Sequence, residues 1–276
     1  MANELDQFYT KQEVVKQLLK CIDCSKYNLV VEPSAGDGAF VKNIHHDNLL
    51  ALDLEPMAPG IQRGDFFDCK LSSIPGKTIL TIGNPPFGKN SSLAVKFFNH
   101  AAQFSDCIAF IVPRTFRKPS VINRLHANFH LSEEQILQPN AFYTPSGESY
   151  DVPTVFQIWE ARETKREKMP VLVTHPDFDF VTLNYKDADE TREKSDFCIR
   201  RVGGLAGKVL DLDPKYALPS HYFIKEKCSG VRGIMDSLDW SDPTGPKYDT
   251  SGNPSISKND LIRKYLSTKS SIELPG

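Results

Sequence analysis

Four consecutive residues, Asn84, Pro85, Pro86 and Phe87, are of types that suit the binding of a planar molecule carrying an amino group. The prolines hold φ at about −65° and lack an N–H, so the carbonyls beside them are fixed and available as acceptors. Asn84 adds a side-chain carbonyl and Phe87 a flat apolar ring. Two fixed acceptors can take both protons of an –NH2 group while the ring stacks on the phenyl, and adenine is a molecule of this kind.

This arrangement would also activate the amino group. The lone pair of an amino nitrogen on an aromatic base is delocalised into the ring, which makes it a poor nucleophile. Holding both hydrogens on oxygens draws the nitrogen toward tetrahedral geometry and frees the lone pair. Loss of one such stabilising group commonly costs on the order of a hundredfold in rate. The alternative interpretation is a proline-rich turn that only closes a strand.

A glycine-rich segment upstream favours the chemical interpretation. Residues 28–31 form an apolar run that predicts a strand, and this run leads directly into Glu32-Pro-Ser-Ala-Gly-Asp-Gly-Ala-Phe40. Its two glycines allow backbone N–H groups to approach a ligand closely, as in nucleotide-binding α/β turns. The segment lacks both the full G-x-G-x-x-G spacing and the lysine of a P-loop. Residues 78–83 predict a second buried strand, which ends at Asn84.

In this order, the two segments resemble the amino-methyltransferases that use S-adenosylmethionine. The resemblance is greatest to the gamma-order N6-adenine methyltransferases, in which the cofactor loop precedes the Asn-Pro-Pro-aromatic loop, and it covers roughly residues 6–160. It implies S-adenosyl-L-methionine as the cofactor, bound by a loop that contains Glu32, Gly36, Asp37 and Gly38. It also implies that Asn84, Pro85 and Phe87 are the catalytic residues.

The N-terminal segment Asp-Gln-Phe-Tyr-Thr, residues 6–10, matches a further family motif that folds over the cofactor. The resemblance therefore implies that Phe8 and Thr10 contact the methionine end of the cofactor. Many relatives carry proline after this threonine, where the present chain has Lys11. The alternative role for Thr10 is an ordinary N-cap of the helix that the spacing predicts over residues 12–21.

Two carboxylates, one after the next predicted strand and one after a Pro/Gly-rich bend, complete the expected cofactor site. Residues 49–52 predict a strand that ends at Asp53, a position from which an acid can accept both ribose hydroxyls. The resemblance supports Asp53 in this role, with Glu55 as the reserve candidate. It also assigns Asp65 and Phe66 to the cofactor's adenine. The alternative for Asp65 and Phe66 is a surface acid beside core aromatics.

A loop at residues 138–145 carries Phe142 and Tyr143, and the resemblance places Phe142 against the second face of the target base. Phe87 and Phe142 would then sandwich an extruded adenine. Stacking of a base on an aromatic side chain contributes about 1–3 kcal/mol, which is comparable to the cost of unstacking the base. The alternative is that Phe142 is a core residue at a strand end.

Strands and helices alternate over the first 160 residues. Helices are expected over residues 39–45, 91–103 and 113–128, and further strands over residues 107–112, 134–137 and 152–159. This order predicts an α/β fold with a doubly wound, mostly parallel sheet. The resemblance implies a Rossmann-like methyltransferase sheet of seven strands, the last of them antiparallel.

A charged run at residues 162–168 separates two predicted domains, a catalytic domain over residues 1–160 and a small accessory or substrate-recognition lobe over 161–276. Alternating residues at 171–173 and 178–183 and a run at 197–204 predict that this lobe is rich in β-structure. Arg200 and Arg201 are candidate contacts to phosphates or unpaired bases. They could equally belong to a solvated face. A loop is expected over residues 240–254 and a last helix over 260–266.

Composition limits the partners. The formal net charge is −2, with 14 Lys and Arg against 17 Asp and Glu in residues 1–160 and 19 against 18 in residues 161–276. Binding to a phosphate backbone would therefore depend on local basic patches and on salt. The polar N-terminal residues 1–7 and the lack of a long apolar run predict a soluble cytoplasmic protein without a membrane partner. No metal site is expected, because Cys21-x-x-Cys24 has no second half.

The sequence thus predicts a methyltransferase that modifies the N6 amino group of adenine in nucleic acid, with DNA preferred over RNA. Because the C-terminal lobe is short, either loose sequence specificity or a protein partner is expected. The alternatives are an RNA methyltransferase acting on adenine N6 or guanine N2, a protein glutamine methyltransferase, and a catalytically inactive nucleic-acid-binding or partner subunit.

Overall fold

A computed structural model gives the structure of residues 8–71, 76–250 and 252–273. The chain divides into two units, one ending at Met169 and the other beginning at Pro170. Residues 1–7, whose polarity entered the prediction of a soluble protein, lie outside the described residues. The strands and helices of the first unit are β1 (Tyr9–Thr10), α1 (Gln12–Leu18), β2 (Leu29–Glu32), β3 (Leu49–Asp53), β4 (Gln62–Arg63), β5 (Ile79–Gly83), α2 (Ser92–Ala101), β6 (Cys107–Pro113), α3 (Pro119–Ile122), β7 (Phe129–Ile136), β8 (Phe142–Tyr143), β9 (Ser149–Tyr150) and β10 (Thr154–Ala161).

Seven of these described strands form one sheet in the order β4-β3-β2-β5-β6-β10-β7. The pairs β3–β4, β2–β3, β2–β5 and β5–β6 are parallel, whereas β10 is antiparallel to both β6 and β7. The last strand of the sheet in chain order is therefore the antiparallel one. This is a doubly wound, mostly parallel, Rossmann-like sheet of seven strands, and the predicted fold class is confirmed.

Alternation along the central strands creates two apolar faces. In β6, Ile108 and Phe110 pack in one core cluster, while Ala109 and Ile111 pack in the other. Successive side chains of a strand point to opposite faces, which accounts for this division. Helix α2 covers the first face and α1 the second, because their buried residues belong to the corresponding clusters. The continuous apolar run of β6 is thus explained by burial on both sides.

The strand order places the two chemical segments next to each other. The order along the sheet reverses between β2 and β5, and ligands of open α/β sheets bind at such a switch point, outside the carboxyl ends of the strands. Strand β2 ends at Glu32 and β5 ends at Gly83. The loops that follow these two strands, residues 33–38 (the glycine loop) and residues 84–87 (the acceptor loop), therefore leave the sheet side by side.

Two predicted helices of the first unit are wrong. Residues 39–43 form turns and residues 44–45 are irregular, where a helix over 39–45 was predicted. The side chain of Asn43 donates to the Ala39 carbonyl at 2.8 Å, the carbonyl that the backbone N–H of Asn43 would use in an α-helix. The helix expected over residues 113–128 is reduced to a 3₁₀ turn, Arg114–Arg117, and the short α3. Pro119, which has no N–H, starts a new helix there.

The second unit is built around a four-stranded antiparallel sheet of order β11-β14-β12-β13. Its elements are β11 (Phe178–Phe180), α4 (Ala188–Glu193), β12 (Phe197–Arg200), β13 (Val209–Leu210), β14 (His221–Glu226), α5 (Val231–Asp236) and α6 (Lys258–Glu273). Apolar residues of the sheet pack with α5 and α6 in one cluster that includes Phe178, Ile224, Met235 and Tyr265. The expected β-rich lobe is confirmed.

The strand expected at residues 171–173 is wrong, and the one at 178–183 is shorter than predicted. The backbone N–H of Leu172 donates to the side-chain oxygen of Asn259 at 3.0 Å and not to a neighbouring strand. The predicted helix at 260–266 is present but extends over Lys258–Glu273. The side-chain hydrogen bond at Leu172 could not be inferred from local alternation.

Candidate active site at the carboxyl edge of the sheet

The glycine loop is held by the carboxylate at the end of β3. Gly36 N–H donates to Asp53 Oδ2 at 2.7 Å, and Glu55 N–H donates to Asp53 Oδ1 at 2.8 Å. Gly36 and Gly38 have φ of 51° and 80°, in the left-handed region that favours glycine. Asp53 thus joins the turn after β2 to the turn after β3, in addition to its predicted role toward a ribose. The Glu55 carboxylate lies on the surface of the same turn.

Two tyrosines cover the glycine loop. A Cβ on Gly36 would lie 3.0 Å from Cε1 of Tyr9, so the tyrosine ring occupies the space that a side chain there would need. The Tyr143 hydroxyl donates to Asp37 Oδ2. Burial, followed by this hydrogen bond to Asp37, raises the pKa of Tyr143. Tyr9 and Tyr143 are partners in the antiparallel pair β1–β8, with ring centroids 5.7 Å apart.

The acceptor loop presents an unused acceptor. Asn84 donates through Nδ2 to Thr10 Oγ1 at 3.2 Å, and its Oδ1 is buried without a hydrogen-bond partner. Ser34 Oγ donates to the backbone carbonyl of Asn84 at 3.2 Å, which joins the acceptor loop to the glycine loop. A buried carbonyl oxygen without a donor is costly to maintain, and at a functional site the missing donor is commonly supplied by a ligand.

The predicted sandwich residues both lie against Phe8. The Phe8 ring centroid is 5.0 Å from that of Phe87 and 5.0 Å from that of Phe142, in edge-to-face geometry. Tyr150 is also in contact, at 5.2 Å. Phe142 is fully buried and Phe87 is 6% exposed. Phe8 thus takes up ring surface of Phe87 and of Phe142 that an acceptor base would otherwise use.

Asp65 and Phe66 begin the 3₁₀ turn Phe66–Asp68. Asp65 Oδ1 accepts from Phe67 N–H at 2.9 Å and caps the turn. Phe66 is buried and stacks on Phe97, with ring centroids 5.3 Å apart and planes 20° from parallel. Both the surface acid and the core aromatic of the alternative interpretation are therefore present. Asp65 and Phe66 nevertheless line the cavity described next.

A cavity of about 440 Å³ lies at this edge of the sheet. Ligand pockets commonly have volumes of about 300–1,000 Å³. Among the described residues of its wall, the acidic ones are Asp53, Glu55 and Asp65, and the basic one is Lys89, beside the acceptor loop. The wall also contains Phe8, Tyr9, Pro33, Ser34, Gly36, Leu54, Gly64, Phe66, Phe67, Asn84, Pro85, Pro86, Gly88, Leu93 and Phe97.

Several predicted residues are thus brought together, and others are not. Phe8, Gly36, Asp53, Asp65, Phe66, Asn84 and Pro85 line the cavity, whereas Thr10, Glu32, Asp37, Phe87, Phe142 and Tyr143 are next to lining residues in the chain or contact them. Gly38 belongs to the glycine loop but does not line the cavity. Arg200 and Arg201 belong to the second unit. Arg201 lies over the Tyr222 ring at 5.3 Å and donates to the Pro219 carbonyl. Arg200 Nε donates to the Val202 carbonyl at 3.0 Å.

Among the polar and charged residues described in the cavity wall, Tyr9, Ser34 and Lys89 were not predicted from the sequence. Ser34 lies within the glycine-rich motif and Lys89 follows the acceptor loop by two residues, so proximity to a motif was an available signal. Tyr9 lies between Phe8 and Thr10 in the N-terminal motif of residues 6–10, so the same signal was available for it. Its position over Gly36 depends on the pairing of β1 with β8.

Glu32, at the end of β2, is 2% exposed, and its Oε2 has no hydrogen-bond partner. Burial, and then the charges of Asp37 and Asp53, hold the pKa of the Glu32 carboxyl well above its ordinary value, and a hydrogen bond from the Val41 backbone acts in the opposite direction. The ionised form is therefore disfavoured in the folded protein.

This shift predicts how Glu32→Gln changes the pH dependence of stability. The folded protein favours the protonated carboxyl of Glu32. Its contribution to the free energy of unfolding is therefore fully present below the ordinary glutamate pKa of about 4.5 and is lost as pH rises toward the raised folded-state pKa. In urea unfolding without ligand, we expect the free energy of unfolding of Glu32→Gln to exceed that of the wild type increasingly between pH 5 and pH 8. Glu148→Gln, at an exposed carboxyl, is the control. Parallel pH profiles of wild type and Glu32→Gln would contradict this prediction.

Across residues 8–71, 76–250 and 252–273, no helix is both long and apolar enough to cross a membrane. Within the same described residues, no group of three or more His, Cys, Asp or Glu side chains could hold a metal ion.

No family model and no curated protein matches this chain by sequence. Solved structures do match. A protein of Pyrococcus horikoshii, named a candidate RNA methyltransferase, is 16% identical over 57% of this chain and 88% of its own, with a TM-score of 0.45. The methyltransferase subunit of a type I restriction-modification system from Streptococcus thermophilus is 17% identical over 57% of this chain and 45% of its own, with a TM-score of 0.39. The 23S rRNA methyltransferase ErmE is 11% identical over 58% of this chain and 71% of its own, with a TM-score of 0.39. At these identities the likeness is one of fold.

Proposed function

We propose that this protein transfers a methyl group from S-adenosyl-L-methionine to the N6 amino group of adenine in nucleic acid, with DNA preferred. The observation that carries the proposal is the buried, unpartnered Oδ1 of Asn84. This oxygen belongs to an Asn-Pro-Pro-Phe loop that lines a cavity together with the glycine loop. An acceptor without a donor, next to a rigid proline pair, suits an –NH2 group as the missing ligand.

The residues of the cavity fit the proposed cofactor. Asp53 and Glu55 offer carboxylate oxygens to ribose hydroxyls, and each Asp53 oxygen retains a lone pair after accepting one backbone N–H. Asp65 can accept from an adenine amino group beside the aromatic wall of Phe66 and Phe97. When bound, S-adenosylmethionine supplies an electrophilic methyl group on a sulfonium centre. The left-handed glycines keep the backbone of the loop free of side chains that would obstruct this ligand.

The acceptor loop supplies the activation. Asn84 Oδ1 and the Pro85 carbonyl would accept the two amino hydrogens, so that the nitrogen lone pair is directed away from the ring. With the cofactor bound, the freed lone pair would take the methyl group, the sulfur would keep the electron pair of the broken sulfur–methyl bond, and one amino proton would leave to water. No covalent intermediate with the enzyme is needed, because Asn84 and Pro85 act only as hydrogen-bond acceptors.

Three other acceptors present an –NH2 on a planar centre: adenine in RNA, guanine N2 in RNA and a protein glutamine. The predicted stacking role of Phe142 favours a base over glutamine, because an aromatic side chain in that role suits a planar ring. The non-enzyme alternative is an inactive nucleic-acid-binding or partner subunit. Arg200 and Arg201 stay predicted nucleic-acid contacts of the second unit. Lys225 and Lys227, two other basic residues of this unit, are paired with carboxylates.

The experiment that tests the function is mass spectrometry of nucleosides after DNA and RNA are incubated separately with the protein and methyl-labelled cofactor. N6-methyldeoxyadenosine in the DNA alone is the expected result. N6-methyladenosine or N2-methylguanosine in the RNA alone would replace DNA with RNA as the substrate. Cofactor binding without label in either nucleic acid would overturn the proposal in favour of glutamine methylation or the inactive subunit.

Phe8→Ala tests where the acceptor ring stacks. Because Phe8 contacts both Phe87 and Phe142, a base that stacks on either must displace it. Each such ring contact is worth about 0.5–1.5 kcal/mol. Because Phe8→Ala removes both contacts, the base no longer has to break them, and we expect the KM for nucleic acid to fall by about tenfold with little change in kcat. Phe8→Leu, which keeps the bulk, is the matched control. A raised KM in Phe8→Ala would mean that Phe8 is itself the stacking surface.

A further inference from the structure

Thr10 is bonded to the acceptor loop rather than exposed to the cavity. Its side chain is 3% exposed, and Oγ1 accepts from Asn84 Nδ2 at 3.2 Å. Phe8 and Tyr9 are among the described residues that line the cavity, but Thr10 is not. The contact that the structure gives this hydroxyl is therefore one to the proposed catalytic amide.

The backbone of Thr10 is held by the chain segment that contains Ala141 and Phe142. Thr10 pairs with Phe142 in the antiparallel pair β1–β8, and the next N–H, that of Lys11, donates to the Ala141 carbonyl at 3.0 Å. A threonine in a paired strand has a restricted χ1, so its hydroxyl is held in place. It therefore offers Asn84 a fixed acceptor.

The orientation of the Asn84 amide decides whether the acceptor loop can accept an amino hydrogen from its ligand. If the amide nitrogen is bound to Thr10, the oxygen remains for the acceptor, and this is the oxygen that has no partner. A reversed amide would direct its own N–H groups at the –NH2 of the acceptor, and two donors would then face each other. The Thr10 hydroxyl can accept from Nδ2 or donate to Oδ1, but the –NH2 of the acceptor can only donate to the amide. The acceptor therefore selects the orientation with Oδ1 toward it, and Thr10 then holds Nδ2 in place.

We propose that Thr10 is a positioning residue for the acceptor side of the site, and that it holds the Asn84 amide with Oδ1 available to the amino group. This inference rests on the proposed function of Asn84. It differs from the role that the sequence resemblance assigns to Thr10, which is contact with the methionine end of the cofactor. The two roles predict different kinetic effects.

The test compares Thr10→Val with Thr10→Ser. Valine keeps the branched shape and suits a strand but removes the hydroxyl acceptor, whereas serine retains it. At saturating cofactor and nucleic acid, we expect Thr10→Val to lower kcat by about ten- to a hundredfold, as for a small misplacement of a catalytic group, and Thr10→Ser to recover most of the activity. Calorimetric titration with cofactor should give the wild-type Kd for both variants. A raised cofactor Kd in Thr10→Val with unchanged kcat would overturn the inference and make Thr10 a cofactor ligand.

A second readout does not require turnover. In protein labelled with ¹⁵N at asparagine, the side-chain NH2 signal of Asn84, assigned by its absence in Asn84→Ala, should shift in Thr10→Val and stay near its wild-type position in Thr10→Ser. An Asn84 signal that is the same in Thr10→Val as in the wild type would overturn the inference. If the wild type methylates neither DNA nor RNA, the proposed function fails, and this signal still decides whether Thr10 holds the amide.

Discussion

Asn84→Ala should lower kcat by at least about a hundredfold while leaving the affinity for cofactor unchanged. The substitution removes the buried Oδ1, which we propose accepts one amino hydrogen of the acceptor. The hydrogen bonds between Asp53 and the backbone of Gly36 and Glu55 do not involve Asn84 and should be kept. The measurements are steady-state kinetics with labelled cofactor and a calorimetric titration of the cofactor.

Asn48→Ala is the matched control for Asn84→Ala. Asn48 is exposed and precedes β3, at the opposite edge of the sheet, and its side chain donates to the Asn28 carbonyl. We expect this variant to retain wild-type kcat and Kd. A loss of cofactor affinity in Asn84→Ala that parallels its loss of turnover would show that Asn84 supports the cofactor site and would contradict the assigned role.

Asp53→Ala should have the opposite signature, with weak cofactor binding as the primary defect. The carboxylate accepts N–H groups from both Gly36 and Glu55, and hydrogen bonds to charged groups contribute about 1.5–3 kcal/mol each, less where solvent reaches them. Without Asp53 the glycine loop loses its anchor and the ribose loses an acceptor. We expect the cofactor Kd to rise by about ten- to a hundredfold, together with a lower Tm, measured by calorimetry and thermal unfolding.

Two variants qualify the result for Asp53. Asp53→Asn keeps one acceptor oxygen at the same place and should fall between the wild type and Asp53→Ala. Asp47→Ala removes an exposed carboxylate from the segment before β3, at the opposite edge of the sheet, and should bind cofactor normally. If Asp53→Ala binds cofactor as tightly as the wild type, the carboxylate is dispensable and the ribose contact must be reassigned to Glu55.

Much of the fold follows from patterns that span only a few residues. The apolar run before Asn84 could only be accommodated as a strand buried on both faces, and β5 is that strand. Strand ends predicted at Asp53 and Gly83 agree with the structure because turn residues interrupt the apolar pattern there. Helices were less accurately predicted. Over residues 39–45 the Asn43 side chain competes with its own backbone N–H for the Ala39 carbonyl. Over residues 113–128 a 3₁₀ turn is followed by Pro119, which begins a separate short helix.

The sequence alone therefore determined which loops follow which strands and which of them carry acceptor, carboxylate and glycine residues. Only the tertiary structure decided the partners of these residues: Thr10 for Asn84, Gly36 for Asp53 and Phe8 for Phe142. The physical reason is that periodicity reports how a residue relates to its neighbours in the chain. A hydrogen bond or ring contact between distant residues depends on which strands pair and in what register, as the pairing of β1 with β8 shows.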